Sequence, residues 1–295
     1  MKKLLISNLL AVAAAFGSFS QVPVFLTAGQ SNTDGRVPAD DLPEYIKGNK
    51  YKHCLWSYCN GVKDTVQGKF ELYYPRMSGA ENPHRWTYDA VTYYLLEQKL
   101  NKPFYVIKQS YGGTSIDPEC KSSGRRGAPG NGFHWSADSA FLADNISVNK
   151  GGNSLIKAFT ENIGECIDRE LSRLPDGCEI KAWMWHQGES DCRAPERYYD
   201  NIKQMVAYVR NYLVQKTGNA EYAHLPFICG TVPRSSRDFR QEIEDALYRL
   251  QREDPYFHVI SLADARLQPD RLHFTAEPAE KFGRQVYEKL VELGL

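Results

Sequence analysis

Five short apolar runs, at residues 22–28, 104–108, 180–185, 226–230 and 258–262, constrain this chain more than any other feature. Each has the length and the β-branched or aromatic content of a strand buried on both faces. Helical patterns follow them. Residues 88–100 place Val91, Leu95 and Leu96 on one face, and 155–174 do the same with Ile156, Phe159, Ile163, Ile167 and Leu171. Residues 198–213 carry Ile202, Met205, Val206 and Val209, residues 240–250 carry Ile243, Leu247 and Leu250, and residues 278–290 carry Phe282, Val286 and Leu290. Spacings of three and four are helical. Strand followed by helix, repeated, predicts an α/β fold: a three-layer α/β/α sandwich around a central parallel five-stranded sheet. In such sheets reactive groups gather at the carboxyl ends of the strands.

Two segments break the alternation, 33–86 and 114–152, both rich in Gly, Pro, Asn, Ser and aromatic residues. Loops this long are uncommon in compact domains unless they are functional. Both leave strand ends and are expected to wall the same rim. Their Tyr73, Tyr74, Trp86, Phe133 and Trp135 have flat faces suited to sugar rings or to pinning the loops to the sheet. Their Arg76, Arg85, Arg125 and Arg126 are potential donors to hydroxyls or a carboxylate.

The amino terminus differs from the rest. Lys2 and Lys3 precede an apolar stretch from Leu4 to Phe16, and Ser18 and Ser20 put small residues before Gln21. This reads as a signal peptide at 1–20 with cleavage after Ser20, followed by one domain at 21–295, so the expected localisation is secreted or periplasmic. The alternative is a short membrane anchor, disfavoured because the run falls short of the ~20 residues a spanning helix needs. The remaining chain has no second such run. Net charge is +0, from 36 basic and 36 acidic residues, so nothing at this level marks a nucleic-acid partner. Seven cysteines leave at least one thiol unpaired, and Cys54 and Cys59 are close enough in sequence to bridge. No zinc-type or H-E-x-x-H spacing occurs, and no cofactor is expected.

The chemistry-bearing residues lie just after the apolar runs. Gly29-Gln30-Ser31-Asn32 ends the first, where a Ser on a strand-to-helix turn exposes its hydroxyl and its own N–H. Tyr111-Gly112-Gly113-Thr114-Ser115 follows the second, and Trp185-His186-Gln187-Gly188-Glu189-Ser190-Asp191 ends the third. Asp270-Arg271-Leu272-His273 precedes the last helix, with a carboxylate spaced to brace an imidazole. Backbone N–H groups at Ser31 and a Gly, with the Gln187 amide, would supply the donors a tetrahedral oxyanion needs. Glu189 and Asp191 also admit a paired-carboxylate glycosidase reading, which the Ser and His partners elsewhere disfavour.

Taken together, G-Q-S-N, G-G-T-S, W-x-Q-G-E-x-D and D-x-x-H, in this order, resemble the SGNH hydrolases. More narrowly they resemble the sialate O-acetylesterase and acetylxylan esterase-like carbohydrate esterases of the family 6 type. The resemblance implies Ser31 as nucleophile, His273 as general base and Asp270 as its orienting acid. It implies an oxyanion hole from Ser31, Gly113 (or Gly112) and Gln187, and Glu189 as a carboxylate sharing or replacing the role of Asp270. The implied substrate is an acetylated carbohydrate, hemicellulose-derived or a sialic acid. The rival readings are a lipid esterase or thioesterase of the same superfamily and a non-catalytic carbohydrate-binding protein. His186, Thr33 and Arg271 depart from the usual residues of the pattern, at positions given no catalytic role.

Overall fold

The computed structural model describes residues 21–48, 51–59, 67–75, 85–124 and 132–295. The expected signal peptide, and also Arg76, Arg125 and Arg126, lie outside these residues. The chain runs β1 (Val22–Gly29), α1 (Ser31–Asp34), β2 (Val37–Pro38), β3 (Cys54–Cys59), β4 (Glu71–Leu72), β5 (Arg85–Trp86), α2 (Tyr88–Leu100) and β6 (Phe104–Ser110). It continues with α3 (Ser139–Asp144), α4 (Leu155–Arg169), β7 (Cys178–His186), α5 (Tyr198–Thr217), β8 (Phe227–Gly230), α6 (Gln241–Glu253), β9 (Phe257–Ile260) and α7 (Ala276–Glu292).

The main sheet has seven strands in the order β4-β3-β6-β1-β7-β8-β9. All neighbours pair in parallel except the β3–β4 edge. The expected five strands are all present, and β3 and β4 extend the sheet. Both come from the segment read as a loop, where Cys-Leu-Trp-Ser-Tyr-Cys lacks the aliphatic run that marked the other strands. Cys54 and Cys59 stand at opposite ends of β3, in register with Phe104 and Gln109 of β6, so the bridge their sequence spacing allowed does not form.

The alternation of β1 explains the three layers. Val24, Leu26 and Ala28 face a core with Ile163 of α4, Val209 of α5 and Leu247 of α6. Phe25 faces the other way, toward Val91 of α2 and Phe282 and Val286 of α7. Two buried polar residues on the inner strands are satisfied by partners on α2. Thr27 shares a hydrogen bond with Tyr93 at 2.7 Å, and Lys108, wholly buried, is paired with Asp89 at 2.5 Å. Burial raises the Asp89 carboxyl despite the ammonium beside it.

From β1 the chain winds first toward β3 and β6, then crosses to β7, β8 and β9. The direction reverses over β1, and a crevice at that end is where such sheets bind ligands. The second long segment lies along this rim. Trp135 N–H donates to Ser115 O at 2.9 Å, and His134 N–H to Asn153 O at 2.9 Å. Ser115 Oγ and His134 Nδ1 are 2.9 Å apart, and burial lowers the His134 ring to about 4, so it is neutral at ordinary pH.

Candidate active site

Gly29 ends β1 at φ 150°, and a Cβ there would strike the His186 carbonyl and the Thr33 side chain, so only glycine fits. The turn it permits starts α1 at Ser31. Gln30 N–H donates back to His186 O at 3.1 Å, and the carbonyl of Gln30 receives Thr33 N–H and Asp34 N–H at 2.9 and 2.8 Å. Ser31 is buried, yet its Oγ has no hydrogen-bond partner among the described residues. Such a hydroxyl is costly to leave unsatisfied in a structural role. It opens onto a cavity of about 360 Å³ whose wall also carries Gly112, Gly113, Glu189 and His273.

His273 and Asp270 sit on the loop before α7. His273 Nδ1 and Asp270 Oδ2 are 2.6 Å apart, and Asp270 Oδ1 accepts the N–H groups of Leu272 and His273 at 2.9 and 3.1 Å. Burial pushes the Asp270 carboxyl up, but these two N–H groups and the ring outweigh it and hold it below its ordinary value. An ionised Asp270 fixes the proton on Nδ1 and leaves Nε2 with its lone pair. The turn is tight: Arg271, between the two, has φ 56°, in the left-handed region.

Gly112 and Gly113 follow β6. A Cβ on Gly112 would collide with Nη2 of Arg36 and come within 3.4 Å of Ser31 Cβ, which puts this backbone against the hydroxyl-bearing carbon. Neither glycine N–H, nor that of Ser31, donates to an acceptor among the described residues. They are the free donors of the site.

Gln187 is brought close in sequence but not to the cavity. Its amide donates to Thr114 O at 3.2 Å and to Asp191 Oδ2, and its Oε1 accepts from Tyr198 at 3.2 Å. Wholly buried, with both amide hydrogens committed, it braces the rim instead of facing a ligand. Asp191 completes that brace by accepting Ile116 N–H and Asp117 N–H at 3.0 and 2.9 Å. Burial pushes its carboxyl up to about 6 against these bonds.

Glu189 does reach the cavity. Its Oε1 accepts from Asn32 Nδ2 at 2.9 Å, and its Oε2 is buried with no partner among the described residues. His186 is packed between Phe274 and Phe282 beneath the site, with Nε2 3.3 Å from Thr231 O. Burial lowers its ring below the usual range, although Glu189 pulls the other way.

The aromatic residues of the long segments do not line this cavity. Tyr73, Trp86, Phe133 and Trp135 are buried, and they pin the segments to the sheet. Arg85 donates to Arg36 O at 3.2 Å. Sequence reasoning missed Arg36, Ser123 and Asp238 in the cavity wall. Arg36 was legible in part, as the cation five residues after Ser31. Asp238 has no local motif, because folding alone brings its loop to Ser31.

The family model described as "Carbohydrate esterase, sialic acid-specific acetylesterase" matches residues 145–292, half of the chain. The chain belongs to this family. The matched span holds Gln187, Glu189, Asp270 and His273, while Ser31 and Gly113 precede it. This esterase has the fold of a protein from Arabidopsis thaliana, with a TM-score of 0.61 and 17% identity over 92% of this chain and 99% of that one. NanS aligns with a TM-score of 0.61 and 13% identity over 92% and 97% of the two chains. A carbohydrate acetylesterase from Xanthomonas citri aligns with a TM-score of 0.53 and 13% identity over 90% of this chain but 55% of its own. No curated protein sequence matches the esterase. It is a carboxylic ester hydrolase of the carbohydrate-deacetylating kind, and no helix among its described residues is long and apolar enough to cross a membrane.

Proposed function

We propose that this esterase removes O-acetyl groups from a sugar through an acetyl-enzyme at Ser31, with His273 as general base and Asp270 as its orienting acid. One observation carries the reading: an unpartnered, buried Ser31 hydroxyl shares a cavity with an imidazole whose other nitrogen is held by a carboxylate. His273 Nε2 takes the Ser31 proton as Oγ adds to the acetyl carbonyl. The oxyanion is met by the N–H groups of Ser31 and of the Gly112–Gly113 turn. Collapse expels the sugar oxygen, which takes the proton from His273. Water then adds to the acetyl-enzyme with His273 again as base, and acetate leaves with Ser31 restored.

The cavity wall supports a short acyl group on a polar alcohol. Its residues are Gln30, Ser31, Arg36, Gly112, Gly113, Ser123, Glu189, Ser190, Asp238, Leu272 and His273, with Leu272 the sole aliphatic side chain of size. A lipid esterase needs a longer apolar groove. The family description favours a sialic acid as the first sugar to test, ahead of hemicellulose oligosaccharides. The signal-like amino terminus supports export to the periplasm or beyond. Acetate release from an O-acetylated sialic acid and from an acetylated xylo-oligosaccharide tests the reading. Ser31→Ala is expected to lose at least ~10³-fold in kcat/KM with thermal stability unchanged, since Oγ makes no hydrogen bond. Retained activity in folded Ser31→Ala, or higher efficiency on octanoyl than on acetyl esters, contradicts it.

A further inference from the structure

His273 is held not only through its ring but through the peptide groups on both sides of it, and the holder belongs to the nucleophile's helix. Asn32, 1% exposed, donates from Nδ2 to the carbonyl of Leu272 at 3.1 Å and accepts Phe274 N–H on Oδ1 at 3.2 Å. The other Nδ2 hydrogen goes to Glu189 Oε1 at 2.9 Å. The carboxylate on the His273 ring is Asp270, so the hydrogen bonds connect Glu189 to the His273 loop by way of Asn32. His186 Nδ1, at 3.8 Å from Glu189, is beyond hydrogen-bond reach.

We propose that Asn32 is a positioning residue that sets the placement of His273 against Ser31, and that Glu189 acts by orienting the Asn32 amide rather than by polarising the imidazole. The chemistry of a carboxamide gives the reason. Its two ends are nearly the same shape and opposite in hydrogen bonding. Turned over, Asn32 would set its oxygen against Leu272 O and its NH₂ against Phe274 N–H, and the clamp would fail at both ends. Glu189 Oε1 takes its hydrogen bond from Asn32 Nδ2 as an acceptor, so it favours the NH₂ end at this place. A carboxylate that matters to the base therefore need not touch it.

This inference rests on the Ser31–His273 reading and is tested on the same esterase. Asn32→Asp keeps the acceptor for Phe274 but loses the donor and faces Glu189 with a second acceptor. It is expected to lower kcat by about 10²-fold, as small misplacements of a catalytic group do, with KM changed by less than about threefold. In Asn32→Asp/Glu189→Gln the polarity of the bond is reversed, with the introduced glutamine amide donating to the introduced carboxylate, and the double variant is expected to be faster than Asn32→Asp alone. Glu189→Gln retains an acceptor and Glu189→Leu does not, so the Leu variant is expected to lose at least about tenfold more in kcat than the Gln variant. That pair decides the matter even if Asn32→Asp fails to fold. The inference is overturned by equal losses in Glu189→Gln and Glu189→Leu, by no rescue in the double variant, or by Asn32→Asp within about threefold of wild type. Activity surviving in Ser31→Ala overturns the reading beneath it, a separate outcome seen in a separate variant.

Discussion

Two carboxylate-bearing turns meet at this rim, and they treat their charges in opposite ways. The loop before α7 keeps Asp270 partly in water, bonds it to the ring three residues on, and lowers its pKa with local N–H groups. The turn after β7 takes Glu189 and Asp191 out of water and commits them to other segments, Asn32 for one and Ile116 and Asp117 for the other. Asp191 is pushed up to about 6 by that burial. In the proposed mechanism the first turn carries the group that exchanges protons with substrate, so access matters. The second fixes where the neighbouring loops lie, so burial and directionality matter. A carboxylate's proximity to a catalytic His in sequence or space thus says less about its role than the partner each oxygen has.

The comparison breaks most visibly in activity. Asp270→Asn is expected to lower kcat by about 10²- to 10⁴-fold, because the ring loses the partner that fixes its tautomer, while the thermal midpoint stays close to wild type. Steady-state kinetics and calorimetry on one preparation check both halves. Asp191→Ala is expected to do the reverse, lowering stability by about 3 kcal/mol as the N–H groups of Ile116 and Asp117 and the Gln187 amide lose their shared acceptor. Denaturant unfolding measures it, and an Asp191→Ala protein as stable as wild type refutes the brace.

Acidity separates the two turns further. Asp270 has a lowered pKa, so its contribution to stability is present above the ordinary carboxylate range and is lost as pH falls through its folded value. Asp191 is raised to about 6, so the folded state holds its proton more tightly than the unfolded chain does. Its contribution therefore grows as pH falls from 7 toward 4. The stability gap between wild type and Asp191→Asn is expected to widen by on the order of 2 kcal/mol over that window, and a constant gap contradicts the assignment. The smallest effect is expected at Arg271. Arg271→Gly relieves the left-handed φ but loosens the unfolded chain, and the net change in unfolding free energy is expected to stay below about 1 kcal/mol. A larger loss means that the exposed turn is as tightly determined as the buried one.

Much of the fold was legible because buried parallel strands and amphipathic helices write strong periodic signals. Val22–Gly29 and Leu155–Arg169 need no tertiary information to be recognised. β3 was not legible, since five of its six residues are buried and they are aromatic, polar or cysteine rather than an aliphatic run. In the site, Ser31 and the Asp270–His273 pair are local in sequence and could be read. The destination of Gln187 could not, because its amide hydrogens are taken by Asp191 in its own turn and by Thr114 on another strand's loop. Asn32 was visible as a motif letter without a role, since its partners are 157 and 240 or more residues away.

The most direct measurement is covalent trapping of the nucleophile. Incubating the esterase with a fluorophosphonate, digesting it and locating the added mass by tandem mass spectrometry asks which hydroxyl the site activates. The account predicts one adduct per chain, on Ser31, absent in Ser31→Ala and formed much more slowly in Asp270→Asn and His273→Ala. An adduct on another residue, or no adduct in a preparation that releases acetate from an acetylated sugar, would contradict it.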